Sequence, residues 1–202
     1  HVPLSRPACL PYGKSCLTVW CVLDNSDQLT AVRLSLNLHA QQAPGADVFV
    51  TNDTLVYDAW NHLYSDDMER TKGKLVIQAT NLPKGITASR KSVDGLFGKV
   101  NSSFGYADTV SVSTSNIWDS PAEILTKTIL APSVKKDASQ LSLNFDAHKD
   151  GKDIMLTPKE VSITMKRNEL TLLRYAFVEG GDFSIYMLVN DNWEVVHGLD
   201  ID

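Results

Sequence analysis

The strongest constraint on this chain is the alternation of apolar and polar side chains with a period of two. Val32, Leu34, Leu36 and Leu38 interleave with Arg33, Ser35, Asn37 and His39. Successive strand residues point to opposite faces, so such a run has one buried side and one wet side. The same spacing recurs at Leu75/Ile77, Val110/Val112, Leu141/Leu143/Phe145 and Val161/Ile163/Met165. The expectation is a mainly β fold with β-sandwich-like sheets, because a sheet with one apolar face must bury it against a second layer. With 202 residues, 43% of them hydrophobic and 21% charged, the chain can form a core of that kind.

Local signals place the elements. Leu17 to Leu23 is a second apolar run, and Asp24-Asn25-Ser26-Asp27 is turn chemistry, so 17–23 and 32–38 are expected to pair as a hairpin. After Leu170 the phase changes at Leu172 and Leu173, which predicts a bulge, and two further strands near 184–189 and 193–197 flank Asn190-Asp191-Asn192. Two short covering helices are expected. One lies near 54–69, where Leu55, Val56, Ala59, Trp60, Leu63 and Tyr64 follow helical spacing; the other starts at the capping box Ser120-Pro121-Ala122-Glu123. The stretch from Lys84 to Asp108, with four glycines and weak periodicity, reads as an exposed, mobile connection.

Leu34-Ser35-Leu36-Asn37-Leu38 is echoed by Leu141-Ser142-Leu143-Asn144-Phe145, so duplication into two related subdomains stands beside simple convergence on strand pattern. Ala131-Pro132-Ser133 is the natural boundary, giving a β-rich subdomain over 1–131 and an antiparallel one over 132–202, unless the chain is a single domain.

The signals for bound groups are weak. Cys9, Cys16 and Cys21 are an odd, clustered set and read as reduced thiols buried in strands, rather than a disulfide framework or a zinc site. His1 with a second His is a conceivable copper pair, though a tag remnant explains it better. Asp146 to Gly151 mimics the start of a calcium loop but has Thr157 where a bidentate Glu belongs, and reads as a hairpin turn, as does Gly180-Gly181-Asp182-Phe183. No nucleophile elbow or phosphate-binding loop is present, so neither an enzyme nor a cofactor is expected. No apolar run reaches transmembrane length, and the first residues lack the basic-then-apolar order of a signal peptide.

Charge is unevenly distributed. The net charge of −5 argues against a polyanion binder as a whole molecule. Between Arg70 and Lys99, however, seven bases (Arg70, Lys72, Lys74, Lys84, Arg90, Lys91 and Lys99) face one acid, Asp94, while 24–69 carries −7 and 179–202 carries −6. These seven are the candidate contacts for an anionic membrane surface or nucleic acid, and the acidic ends could meet the basic middle in self-association.

Ser15-Cys16-Leu17-Thr18-Val19-Trp20, then Ala43-Pro44-Gly45, and in the second half Asp150-Gly151-Lys152-Asp153-Ile154-Met155-Leu156-Thr157-Pro158 followed by Val161-Ser162-Ile163-Thr164-Met165-Lys166-Arg167, carry a resemblance. In these pieces the chain resembles the matrix proteins of non-segmented negative-strand RNA viruses of the pneumovirus and paramyxovirus type. The resemblance implies a non-enzymatic structural protein that forms homo-oligomers under the virion envelope, at the inner face of the host membrane, touching anionic lipid and the nucleocapsid or its RNA. The other reading is a secreted or surface β-sandwich that binds glycan or protein through exposed aromatics such as Tyr57, Trp60 and Trp118.

Overall fold

The computed structural model describes residues 12–23, 35–58, 60, 66–178, 180–189 and 191–198. Fourteen strands follow one another: β1 (Gly13–Leu23), β2 (Ser35–Asn37), β3 (Asp47–Tyr57), β4 (Glu69–Arg70), β5 (Gly73–Thr80), β6 (Ile86–Asn101), β7 (Tyr106–Ile117), β8 (Ile124–Leu130), β9 (Ser139–Lys149), β10 (Lys152–Leu156), β11 (Val161–Ile163), β12 (Leu170–Val178), β13 (Asp182–Val189) and β14 (Asn192–His197). Among the described residues the helical content is a single 3-10 turn, Ala40–Gln42.

Three sheets form. The smallest runs β1-β3-β4; the five-stranded sheet runs β14-β13-β12-β5-β8; the six-stranded sheet runs β10-β9-β6-β2, with β11 also on β9 and β7 on the other edge of β6. All pairings are antiparallel except β12 with β5. Both large sheets contain strands from each side of position 131.

The fold is mainly β and β-sandwich-like. Leu141, Leu143 and Phe145 of β9 and Val93 and Leu96 of β6 pack into one core with Leu75 and Ile77 of β5, Leu173 and Tyr175 of β12 and Phe183 of β13. Phe145 and Phe183 stack across the two layers with ring centroids 5.5 Å apart. Fully burying a side chain of this size contributes about 2–3 kcal/mol. Trp20, Val48 and Val50 bring the small sheet into the same core.

Several sequence expectations are corrected. The segment 17–23 pairs along β1 with β3, not with 32–38; of the latter, residues 35–37 form β2 on β6, and 32–34 lie outside the described residues. In place of a helix near 54–69, residues 55–57 complete β3, whose ladder to β1 runs unbroken from Asp47 to Tyr57; Ala59 and residues 61–65 lie outside the described residues. That continuous cross-strand ladder outweighs a helical spacing carried by only a few side chains.

The capping box also starts no helix. Ser120 has φ +47, which is not the extended backbone of an N-cap, and its hydroxyl accepts a hydrogen bond from the Gly85 amide at 2.7 Å. Downstream, Ile124, Thr126, Thr128 and Leu130 alternate onto one face, and the β-branching of Ile124, Thr126, Thr128 and Ile129 favours the strand β8. The bulge expected after Leu170 is absent: β12 keeps register with β5 from Leu170 to Ala176, and Leu172 and Leu173 face opposite sides.

The largest correction concerns 84–108, read from sequence as a mobile connection. It contains the long central strand β6 and the start of β7. Its periodicity is hidden by a bulge between Val93 and Leu96, which moves the inward set from Ser89, Lys91 and Val93 to Leu96, Gly98 and Val100. Gly95 makes the bulge possible. Its φ is +68, and a Cβ there would sit 2.5 Å from the Ala138 carbonyl oxygen.

Two of the expected turns are in place, while Asp24 to Asp27 lies outside the described residues. Asp150 and Gly151, both at positive φ, join β9 to β10, and Gly180 and Gly181 lie between β12 and β13. The paired strands β13 and β14 match the two read near 184–189 and 193–197. Cys16 and Cys21 are free thiols in β1, but neither is buried as expected: Cys16 is exposed and Cys21 half-buried, and Cys9 lies outside the described residues.

Candidate functional site

Each large sheet ends on one side in a strand with a single neighbour: β7 pairs only with β6, and β8 only with β5, among the described residues. The two edge strands are consecutive in sequence. On β7 the inward series Val110 and Val112 continues into Thr114 and Asn116; on β8, Ile124 and Leu130 bracket Thr126 and Thr128. The core therefore gives way to hydroxyl and amide groups, and a cleft of about 430 Å³ opens between the strands there, closed at one end by Pro44 and Gly45.

Trp118 and Lys91 give the cleft its character. The half-buried Trp118 ring is held by two hydrogen bonds, its backbone N–H to the Thr87 carbonyl and its Nε1–H to Ser89 Oγ, both 2.8 Å. Lys91 comes from β6, between Thr114 of β7 and Leu143 of β9, and is only 7% exposed. Its ammonium donates to Thr128 Oγ1. Burial pulls its pKa down to about 8. No carboxylate lines the cleft, whereas a second lysine, Lys127, does. The buried Thr114 hydroxyl has no hydrogen-bond partner, which is costly unless something outside the chain supplies one.

The seven basic residues read from the sequence do not form one surface. Lys72 is fully buried: its Nζ donates to the Leu38 and Pro44 carbonyls at 2.6 and 2.7 Å, and burial lowers its pKa to about 8 despite the nearby Asp47. Lys91 also points inward. Arg70 pairs with Asp47 at 2.9 Å and lies over Phe49; Arg90 pairs with Asp146 and Lys99 with Asp108 at 2.8 Å. Lys84 is exposed and Lys74 half-buried, and neither has an ion-pair partner among the described residues. Lys72 thus presents no charge outward, Lys91 presents its charge only to the cleft, and three of the seven are already neutralised.

Arg90 belongs to a separate polar face. On the outside of the six-stranded sheet, Ser142, Ser92 and Ser113 form one cross-strand row and Asn144, Arg90 and Ser115 the next, around a shallow depression of about 330 Å³. Of the three aromatics singled out from sequence, Trp118 lines the cleft, Trp60 is 89% exposed, and Tyr57 ends β3. Thr114, Asn116, Thr126 and Thr128 were not anticipated. The available signal was period-two continuation: extending Val110/Val112 by two steps puts polar residues on a core-facing side. Among the described residues no group of three His, Cys, Asp or Glu side chains could hold a metal ion, and no helix is long and apolar enough to cross a membrane.

No family model matches the chain, and no curated protein matches it. Solved structures do resemble it in fold. A candidate adhesin of Bacteroides thetaiotaomicron superposes with a TM-score of 0.58 at 9% identity, covering 95% of this chain and 80% of that one. A candidate cell adhesion protein of Bacteroides uniformis gives 0.54 at 10% identity over 91% and 72% of the two chains. One from Bacteroides ovatus gives 0.51 at 10% identity over 95% and 71%. These neighbours are bacterial and adhesin-like, and they overturn the resemblance to viral matrix proteins, together with the virion location and membrane self-assembly it implied. The stretches that carried the resemblance are ordinary strand and turn text: Ser15 to Trp20 lies within β1, and Asp150 to Leu156 is the turn and second strand of the β9–β10 hairpin. At such identities the shared property is the fold.

Proposed function

We propose that this protein is a non-enzymatic binding module, secreted or displayed on a cell surface, that holds a glycan in the cleft between β7 and β8. The reading rests on one arrangement: a fixed indole face, Trp118, beside the hydroxyl and amide groups of Thr114, Asn116, Thr126 and Thr128 in a cleft of about 430 Å³. A pyranose offers the matching surface, with an apolar C–H face to lie against an aromatic ring and hydroxyls around the rim to pair with short polar side chains. The adhesin-like fold of the structural neighbours is in keeping with such a role.

A glycan array probed with the wild-type chain and with Trp118→Ala tests the proposal. Hits that fall at least tenfold with the variant are expected. An array with no hits, or hits that Trp118→Ala leaves unchanged, removes the cleft from consideration.

A further inference from the structure

We infer that the glycan held between β7 and β8 is acidic, carrying a carboxylate or sulfate that Lys91 meets; this rests on the glycan reading above and names the class of sugar. The first argument is charge. The molecule as a whole is acidic at −5, yet the residues lining the cleft include two lysines and no carboxylate. The second is hydrogen bonding. An ammonium has three N–H donors, and the one protein acceptor for Lys91 among the described residues is a neutral hydroxyl, Thr128 Oγ1. A buried cation with so little compensation opposes folding.

The third argument is position. Lys91 is the one inward-facing charged residue of β6, and it sits between the Thr114 hydroxyl, which lacks a partner, and Thr128. An anionic oxygen entering the cleft would meet the Lys91 ammonium, while Lys127 at the edge strand adds a second positive charge at the mouth. Such an oxygen supplies what the chain itself does not, and a charge-assisted hydrogen bond is stronger than a neutral one. The sugar ring then lies against Trp118. A neutral sugar would leave the ammonium without a counterion, so the site discriminates against it.

The test is an array of matched pairs, each uronic-acid, sialic-acid or sulfated glycan printed beside its neutral parent, probed with wild-type chain, Lys91→Met, Lys91→Gln and Trp118→Ala. Near-ultraviolet circular dichroism confirms that each variant is folded. At least a tenfold preference for the acidic members is expected in the wild type. Both Lys91 variants should lose the preference, and Trp118→Ala should weaken acidic and neutral members alike. Equal binding within pairs, or a preference that survives both Lys91 variants, overturns the acidic assignment and leaves the glycan reading standing. A silent array overturns the glycan reading itself, as does binding of an oligo-glutamate peptide in place of any sugar. The carboxylate and sulfate arms separate the two sources of the anion.

Discussion

Lys72 and Lys91 are both buried lysines whose ammonium groups burial draws down to about pKa 8, yet their surroundings differ. Lys72 is enclosed on the side of β2 and β3, where two main-chain carbonyls accept its protons and Asp47 supplies opposing charge. Lys91 lies beside an open cleft, has one hydroxyl acceptor, and no nearby carboxylate offsets its burial. The first cation is a cross-link: it ties Leu38 and Pro44, which flank the 3-10 turn, to the start of β5. The second is held in readiness. A buried charge becomes informative about function only when its partners have been counted.

The largest expected effect separates the two directly. Lys72→Met strands two buried carbonyl oxygens and should cost about 3 kcal/mol in urea unfolding. Lys91→Met removes a poorly compensated charge and should be neutral or stabilising by about 1 kcal/mol. Equal losses in the two variants would mean that Lys91 is as structural as Lys72 and would break the comparison.

Alkaline titration sharpens it. A lysine whose folded pKa is lowered to about 8 binds fewer protons when folded than when unfolded between pH 8 and its ordinary 10.5, so stability rises with pH over that window. Each of the two lysines contributes about 2 kcal/mol of that gain by pH 10. Lys91→Met should gain about 2 kcal/mol less than wild type between pH 7.5 and 10, measured by urea unfolding at each pH. An undiminished gain would show that the Lys91 ammonium is solvated.

How the two lysines divide was only partly legible in the sequence. Period two was readable in most of the long strands, and the turns at Asp150-Gly151 and Gly180-Gly181 follow from residue chemistry. The long strand β6 was not readable, because the bulge at Gly95 interrupts the alternation and leaves two short runs with opposite inward phase. That hidden phase decides which of the neighbours Arg90 and Lys91 faces water. Counting back from Val93 puts Lys91 and Ser89 inside, but the count works only once 93 is known to precede a bulge. Trp118 could be named from sequence as an exposed aromatic. Its partners in the cleft could not, because they come from strands whose pairing is set by distant segments, and the capping box at Ser120 masked β8.

Acid should probe the Lys72 side alone. His39 is buried, accepts a hydrogen bond from the Ala131 amide at Nε2 and donates from Nδ1 to the Ala43 carbonyl, an arrangement that requires the neutral ring. Burial first, and then the Lys72 charge, lower its pKa from 6.5 to about 4. Between those values the folded state binds fewer protons than the unfolded chain, so its stability is complete above pH 6.5 and falls toward pH 4. The expected loss from pH 7 to pH 5 is about 2 kcal/mol from this residue. His39→Gln should flatten that part of the profile, and Lys72→Met should shrink it, because removing the neighbouring charge raises the folded-state pKa of His39 and moves the acid end of the window up toward 6.5; Lys91→Met should leave it in place. An acid profile that responds to Lys91→Met would mean that the two regions are coupled.

The smallest effect belongs to the surface cations, and it closes the comparison from the other side. Lys99 and Asp108 form an ion pair at 2.8 Å with both side chains about half exposed, and Lys84 is exposed with no ion-pair partner among the described residues. Exposed pairs are weakened by solvent and salt, so Lys99→Ala and Lys84→Ala should each change stability by less than about 0.5 kcal/mol. Neither residue lines the cleft. If attraction to acidic glycans came from the basic stretch of sequence as a whole, removing Lys84 or Lys99 would weaken binding about as much as removing Lys91, and added salt would abolish all of it. If the cleft is the site, both alanine variants should bind acidic glycans within about twofold of wild type, because one desolvated ammonium facing the ligand outweighs several screened ones on the surface.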